Sequence, residues 1–446
     1  MVITQEGQAL PLGVYATGLN DESVSYSLVN VLGGTKNDRG YNTAGADLSL
    51  VFKGTLSTGA EITKTFIFHP STYLFDVNVK LNPATNDGSQ VKLEWTHFES
   101  DTHASNQFDF RGVTHLSKGS ISKTDVSSIE DKSESFSSDT WLEFGDKYFT
   151  TALIPPSSGA KNSAVLREGN NIALRAYGES EGGNFTLYIG PKDYETLKDV
   201  GYELHRSIDL GFFSVLAHPL LGLLRFFYRV FGNYGLAIVL LTLLIKAVFL
   251  PLTKKSFKSM AAMQDLQPRI KALREKYSKD PTKMNQELIG LYKKEGINPM
   301  SGCFPILIQL PVFLGLYNAL LNSIEMRHAP FALWITDLSA PESLQVFGIG
   351  IPVMVILMGI SMFVQQWTTP TAMDPTQKKI MMFMPIVLTF LFIGFPAGLV
   401  LYWLVNNIVS IIQQAFIRKE RAAGATKATV ISSVVIFGFA YILTLL

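Results

Sequence analysis

The hydropathy pattern of the chain changes near residue 200. Before that point apolar and polar side chains alternate, as in Phe75-Asp-Val-Asn-Val-Lys-Leu81 and Val91-Lys-Leu-Glu-Trp95. A period of two puts every second side chain on one face, so these segments predict strands with one wet face. Further strand-like runs occur at 48–52, 65–68, 148–154, 171–177 and 185–189, separated by Gly, Asn, Asp and Pro clusters. Many strands without intervening helices predict an antiparallel β-sandwich over residues 1–205. The polar stretch 117–139, dense in Ser, Lys and Asp, reads as a mobile loop.

Beyond residue 205 the alternation gives way to long apolar runs. Phe212, Phe213 and Leu216 among polar neighbours predict a short amphipathic helix on a membrane surface over 206–219. One long helix over 220–252 then enters the bilayer, and 303–321, 347–367, 380–395 and 397–417 supply four more spans. Five transmembrane helices over 220–420 therefore form a membrane core, and an extra apolar segment over 428–446 closes the chain. Between the first two spans, Met260, Met263, Leu266, Ile270, Leu273 and Tyr277, then Met284, Leu288 and Leu291, recur every three or four residues. Asp280-Pro281 divides that pattern, which predicts an antiparallel helical hairpin over 254–296. Met260 and Met263 suit adaptable contacts because the unbranched thioether repacks easily, with Arg269 and Lys271 as basic contact residues beside them.

Composition agrees with a soluble domain joined to a membrane domain: 47% of residues are hydrophobic and only 17% charged. Charge placement sets the orientation. Residues 254–294 carry eleven Lys or Arg, whereas 322–346 carry only Arg327, so the basic segment is cytoplasmic and the β domain lies outside. A net charge of +1 gives no footprint for sequence-specific nucleic-acid binding. Cys303 is the only cysteine, and His97, His103 and His115 lack ligand spacing, so no disulfide framework, metal site or cofactor is expected and these read as surface histidines. An exported domain needs a signal, yet residues 1–10 show no basic start followed by an apolar core. We expect an N-terminal signal-anchor helix ahead of residue 1; a native mass equal to that of these 446 residues, with the β domain still outside, would overturn this.

The candidate chemistry centres on Lys246, one charge within the apolar run 234–250. A lysine near the middle of a membrane helix costs roughly 2.5–3.5 kcal/mol on insertion scales, so it needs a route to water or a role. Lys254 marks the nearer interface, eight residues and about 12 Å further on, beyond comfortable snorkelling reach. Thr242 lies one turn before Lys246, and Tyr402, Asn406, Ser410, Gln413 and Gln414 recur at helical intervals in the last span. Gln309, Asn318, Ser361 and Gln365 are placed to extend a wet cavity open to the cytoplasm. The core spans hold no Asp or Glu, which argues against a transporter with paired charges. They also lack the Ser/His, Asp-pair or metal constellation of an enzyme.

The run Gly232-Asn-Tyr-Gly235, Pro251-Leu-Thr-Lys254 after the charge at 246, Asn298-Pro-Met-Ser-Gly-Cys-Phe-Pro305, Ala329-Pro-Phe-Ala-Leu-Trp334 with Asp337-Leu-Ser339, and Phe395-Pro-Ala-Gly-Leu-Val-Leu-Tyr402 closely resemble the bacterial YidC membrane protein insertases. The resemblance includes 141–156 and Leu187-Tyr-Ile-Gly-Pro191, similar to the end of that family's periplasmic β-supersandwich. It implies an α+β protein of two parts, a polytopic helical insertase core in the bacterial inner membrane plus an N-terminal periplasmic β-supersandwich. It further implies a positively charged groove, hydrated and closed on the outer side, that inserts and helps fold nascent membrane proteins, alone or with the Sec translocon. Lys246 occupies the place of the groove's usual arginine, Thr242 matches a residue that contacts substrate, and Trp403 stands where a second tyrosine is commoner after Tyr402. Gln309 and Asn406 complete the expected groove set. Ribosome, Sec translocon and membrane lipids are the implied partners. A scaffold of the Sec translocon without autonomous insertion activity is the competing reading.

Overall fold

The computed structural model describes residues 12–17, 19–38, 40–43, 45–85, 88–98, 110–129, 140–156, 163–296, 304–369 and 375–423. His103, Cys303 and the apolar segment 428–446 lie outside them. The chain divides into two compact units, Met1–Ile208 and Asp209–Leu446.

Among the described residues the first unit contains two large antiparallel sheets and a two-stranded ribbon, Thr35–Asn37 with Gly40–Asn42. One orders its strands Ser163–Glu168, Asn171–Tyr177, Lys92–Phe98, Gly13–Ala16 and Leu19–Asn20. The other runs Ser120–Asp125, Gly112–Ser117, Trp141–Gly145, Phe149–Ile154, Gly182–Pro191, Leu74–Asn82, Glu61–Phe68, Leu48–Thr55 and Ser27–Leu32. Val77, Val79 and Leu81, the alternate apolar positions of one strand, join Leu93, Leu174, Phe185 and Leu187 in a single core drawn from both sheets. Trp141, Ala152 and Tyr188 point the other way and bury against Leu197 of helix α1 (Tyr194–Val200) and against Leu204. Trp141 Nε1 also donates to the Tyr202 carbonyl at 2.9 Å, so that face is covered as well.

Two expectations need correction. Of the stretch 117–139 expected as a loop, 117–125 belongs to an ordered hairpin over 112–125, with Lys118 and Gly119 at its turn and Ile121 paired to Leu116, while 130–139 lies outside the described residues. The hairpin segment is polar because Ser120–Asp125 is the edge strand of its sheet, largely open to water. His97 and His115 are half-buried, not surface residues. His97 bonds Arg111 at 3.0 Å over the Phe144 ring, and burial pushes the His115 imidazole below its ordinary range.

A buried ionic knot ties the sandwich together. Lys64, on the larger sheet, donates to the Leu12 carbonyl at 2.8 Å and pairs with Asp21, which accepts from Val14 N at 2.8 Å and from the Tyr26 hydroxyl at 2.6 Å. Burial lowers the Lys64 pKa while Asp21 opposes that shift. Removing one member of a buried, hydrogen-bonded pair strands the other charge and costs about 3–5 kcal/mol.

The second unit is helical: α2 Ser214–Phe231, α3 Tyr234–Asp265, α4 Gln267–Lys276, α5 Pro281–Lys294, α6 Phe304–Leu321, α7 Val353–Thr368, α8 Pro375–Leu391 and α9 Ala397–Ala423. Helix α3 and the portion Ala397–Ile417 of α9 are long and apolar enough to cross a membrane. Gln309–Leu321, Val353–Thr368 and Lys379–Gly394 are shorter apolar helices. The expected continuous helix over 220–252 is broken. Gly232, with φ of 69°, ends α2 in the left-handed conformation, and the Asn233 side chain caps α3 by accepting from Leu236 N at 2.9 Å.

That break relocates the amphipathic element. The expected surface helix over 206–219 is instead α2, which buries Ala217, Leu220, Leu221 and Leu224 and exposes Phe226 and Val230. Three hydrogen bonds along α2 and its flanks go to loop 322–352 at one end of the bundle. Asp209 O accepts from Asn322 Nδ2 at 2.7 Å, Arg225 Nε donates to Glu325 at 2.7 Å, and Asn233 Nδ2 donates to the Phe331 carbonyl at 2.9 Å. Helix α2 is thus held at the end of the bundle that carries loop 322–352, and α3 is the first helix long and apolar enough to cross a membrane among the described residues.

For the sandwich, we expect Asp21→Ala to weaken amide-exchange protection across both sheets in the full chain by about 3–5 kcal/mol, with Asp21→Asn/Lys64→Met recovering most of it. Unchanged protection in the single variant would show that the knot contributes nothing.

Candidate functional site

Helices α3, α6 and α9 bring the expected polar residues together. Lys246 is 7% exposed, and its ammonium donates to Ser410 Oγ at 2.8 Å. Ser410 in turn donates to the Asn406 carbonyl at 2.7 Å, while Asn406 Oδ1 accepts from Gln309 Nε2 at 2.7 Å. The Tyr402 hydroxyl adjoins Gln309. Thr242, one turn outward from Lys246, donates to the Ile238 carbonyl at 2.7 Å, and that intrahelical bond satisfies its proton. A cation, two amides and hydroxyls thus form one polar cluster inside an apolar bundle.

Gln413 adds the least satisfied group. It is 1% exposed, and neither its amide oxygen nor its amide nitrogen has a hydrogen-bond partner. Three residues beyond Ser410 on α9, it lies on the side of Lys246 nearer the basic segment. An amide buried without partners costs several kcal/mol on transfer scales, so the position calls for water or a polar ligand.

The structure divides what the sequence grouped as one polar stripe on α9. Gln414 accepts from Thr368 and donates to Thr369, each at 3.0 Å, and Asn407 donates to Ser361 at 3.1 Å. These bonds zip α9 to α7, so Ser361 and Gln414 stand apart from Lys246. Asn318 is removed to the outer end, against Gly211. Trp403 faces an aromatic cluster, edge-on to Phe313 at 4.9 Å and to Phe392 at 4.8 Å, with Tyr402 stacked on Phe313. Asn407, absent from the sequence-based set, falls in the same sector of α9 as the residues that were chosen, and spacing does not tell which neighbouring helix it meets.

The outer end is tied down by loop 322–352. Gly235 accepts the Phe331 ring in a space that leaves no room for a side chain, and Tyr228 stacks on Tyr234 at 3.8 Å. Glu342 accepts from Trp334 Nε1 at 2.7 Å and from Met354 N at 2.5 Å, capping α7. The first amides of α9, Ala397 and Gly398, donate to the Ala340 and Leu338 carbonyls at 2.8 and 2.9 Å. Burial pushes the Asp337 carboxyl up, but hydrogen bonds from Ser339 and His328 outweigh it and hold the pKa below the usual range. Met326, Ile335 and Leu338 are buried beneath these bonds.

Towards the opposite end, α3 continues through Pro251 as far as Asp265, so the helical hairpin starts later than the sequence predicts. Met260 and Met263 are half-buried on α3 itself. Helices α4 and α5 then form the hairpin, with Asp280 capping α5 and Arg269 bonded to Glu295 at 2.7 Å. Lys271 is exposed, with Glu275 at 3.9 Å. In the β unit, a cleft of about 960 Å³ lies beside Asp76, Asn78, Glu179, Asn184 and Tyr202. Its polar groups serve one another: Asp76 holds Thr186 and His69, raising the His69 pKa, and Asn78 bonds Asn184.

Residues 226–424 match the family described as 60Kd inner membrane protein, and residues 32–223 match the YidC periplasmic domain. The membrane protein insertase YidC of Geotalea daltonii is 40% identical over 389 residues, covering 84% of this chain and 72% of that protein. The one from Geobacter sulfurreducens is 39% identical over 398 residues, covering 86% and 73%. An active YidC insertase crystal structure with the first transmembrane domain resolved has 20% identity and a TM-score of 0.39, over 88% of this chain and 83% of that one. The class defined is an inner-membrane protein of two parts, a helical membrane unit preceded by a periplasmic β domain. Within that class, the chain belongs to the YidC family of membrane protein insertases.

For the polar cluster, Ser410→Val leaves the Lys246 ammonium without that acceptor. We expect a loss of about 1–3 kcal/mol in stability of the membrane unit, read by unfolding in mixed micelles, and recovery when Lys246→Met is added. Equal stability of Ser410→Val and the native chain would show that the bond is dispensable.

Proposed function

We propose that the polar cluster around Lys246 is the inner wall of a hydrated recess, reached from the cytoplasm, through which nascent membrane segments enter the bilayer. The observation that carries this reading is the buried ammonium held by Ser410 between α3 and α9, with the unpartnered amide of Gln413 beside its path to the cytosol. Such groups are stable together only where water or a polar chain reaches them. The dense bonding of the outer loop supports closure on the opposite side.

The mechanism follows from charge and hydropathy. A client with a short polar tail places that tail in the recess, where Lys246 attracts acidic side chains as a compact point charge. Water there shortens the low-dielectric path that the tail must cross. Burial of roughly 20 apolar residues in lipid, at about 25 cal/mol per Å², exceeds the few kcal/mol for which a small polar tail needs help. No nucleotide is consumed. The exposed hairpin α4–α5 and the adjoining Met260 and Met263 receive ribosome-borne chains on the cytoplasmic side, and the lipid-facing helices serve clients leaving the Sec translocon.

The test is reconstitution of the purified full chain in liposomes with a small single-span substrate and no ATP. We expect insertion by the native chain, at least a tenfold loss with Lys246→Ala, and substantial retention with Lys246→Arg. Crosslinks from position 242 to an arrested nascent chain should accompany activity. Insertion at the native rate by Lys246→Ala would remove the cation from the mechanism, and inactivity of the native chain alone would favour the scaffold reading.

A further inference from the structure

A small β-hairpin in the outer loop has a surface with no use in the reading above. Strand Leu344–Val346 pairs antiparallel with Ile349–Ile351, and Val346 opposite Ile349 leaves a two-residue turn of Phe347 and Gly348. Both turn residues have positive φ, 53° and 79°. This is the geometry for which Asn-Gly is the favoured pair, because a bulky side chain is strained in the left-handed region. Phe347 occupies the strained position with its ring fully exposed, and Ile349 beside it is 68% exposed. A strained aromatic tip that covers no part of its own fold has a partner elsewhere.

The location of the hairpin identifies that partner. Ile351 stands two residues before α7, whose outward face of Ile356, Leu357, Ile360 and Phe363 is exposed and apolar, as lipid contact requires. At 1.5 Å per residue the sixteen residues of α7 span about 24 Å, short of a hydrocarbon core of about 30 Å. That shortfall leaves room for the segment preceding α7 to begin inside or at the edge of the apolar layer. Glu342, bonded to the first amides of α7, fixes the base of the hairpin there. We propose that the Phe347 hairpin is a lipid anchor, its tip buried among the acyl chains of the outer leaflet. The aromatic tip extends the lipid-facing surface of α7 across the missing length and holds loop 322–352 against the membrane.

The experiment uses the full chain in a Cys303→Ser background, reconstituted in phosphatidylcholine vesicles without any other protein. Cysteines introduced at Phe347, at Ile360 as lipid-facing reference and at Ser122 as aqueous reference carry an environment-sensitive fluorophore. We expect the probe at 347 to match that at 360 in blue-shifted emission and in quenching by shallow spin-labelled lipid. Iodide should quench it at least threefold less than the probe at 122. A second probe at Ile349 is read with and without Phe347→Asn, a residue that suits the left-handed turn and so preserves the hairpin. Phe347→Asn should raise iodide quenching at 349 at least twofold. Aqueous behaviour at 347 in pure lipid would overturn the anchor, and shielding only after a partner protein is added would assign the tip to that protein. No response at 349 to Phe347→Asn would likewise overturn it.

Discussion

A single ammonium inside a membrane bundle constrains everything around it. Lys246 is almost wholly enclosed, so the bundle has to supply oxygen atoms at the level of the charge. Ser410 does so directly, and the Asn406 carbonyl holds Ser410 in turn. That requirement dictates that α9 face α3 with its polar edge and that α6 present Gln309 rather than another aliphatic group at the junction. Gln413 extends the same edge beyond what neighbouring side chains satisfy, and this unmet demand is what the proposed recess rests on.

The outer end follows the opposite rule. There, almost every polar group finds a partner within the protein: Asn233 with Phe331, Glu342 with Trp334 and the start of α7, Asp337 with Ser339, and the first amides of α9 with loop carbonyls. Helix N-termini leave amides without intrahelical acceptors, and this loop provides them. One bundle thus combines a saturated end and an unsaturated middle, an asymmetry suited to a recess with one mouth. Arg225 and Glu325 reinforce the saturated end by clamping α2 to it.

Much of this was legible in the sequence because burial leaves a periodic trace. Alternation at 75–81 marks a strand with Val77, Val79 and Leu81 inside, and the lone charge at 246 marks the polar cluster with Ser410, Asn406 and Gln309. The losses have physical causes. Ser120–Asp125 was hidden because an edge strand needs no apolar face. The break at Gly232 was masked by apolar residues on both sides, although the left-handed glycine and the capping asparagine were present in the motif. The division of the α9 polar residues into a Lys246 face and an α7 face could not be read from spacing, since positions 406, 407, 410, 413 and 414 fall within a sector that two neighbouring helices share.

The long helix α3 joins three places with different duties: the capped start at Asn233, the turn that carries Lys246, and the stem leading into α4. Pro251 interrupts its ladder between the second and third of these, because proline has no amide to give to the turn before it. Bending is cheapest at that point. A hinge at this place would lie five residues beyond the cation, so the cytoplasmic arm could swing while the registry of Lys246 with Ser410 is kept.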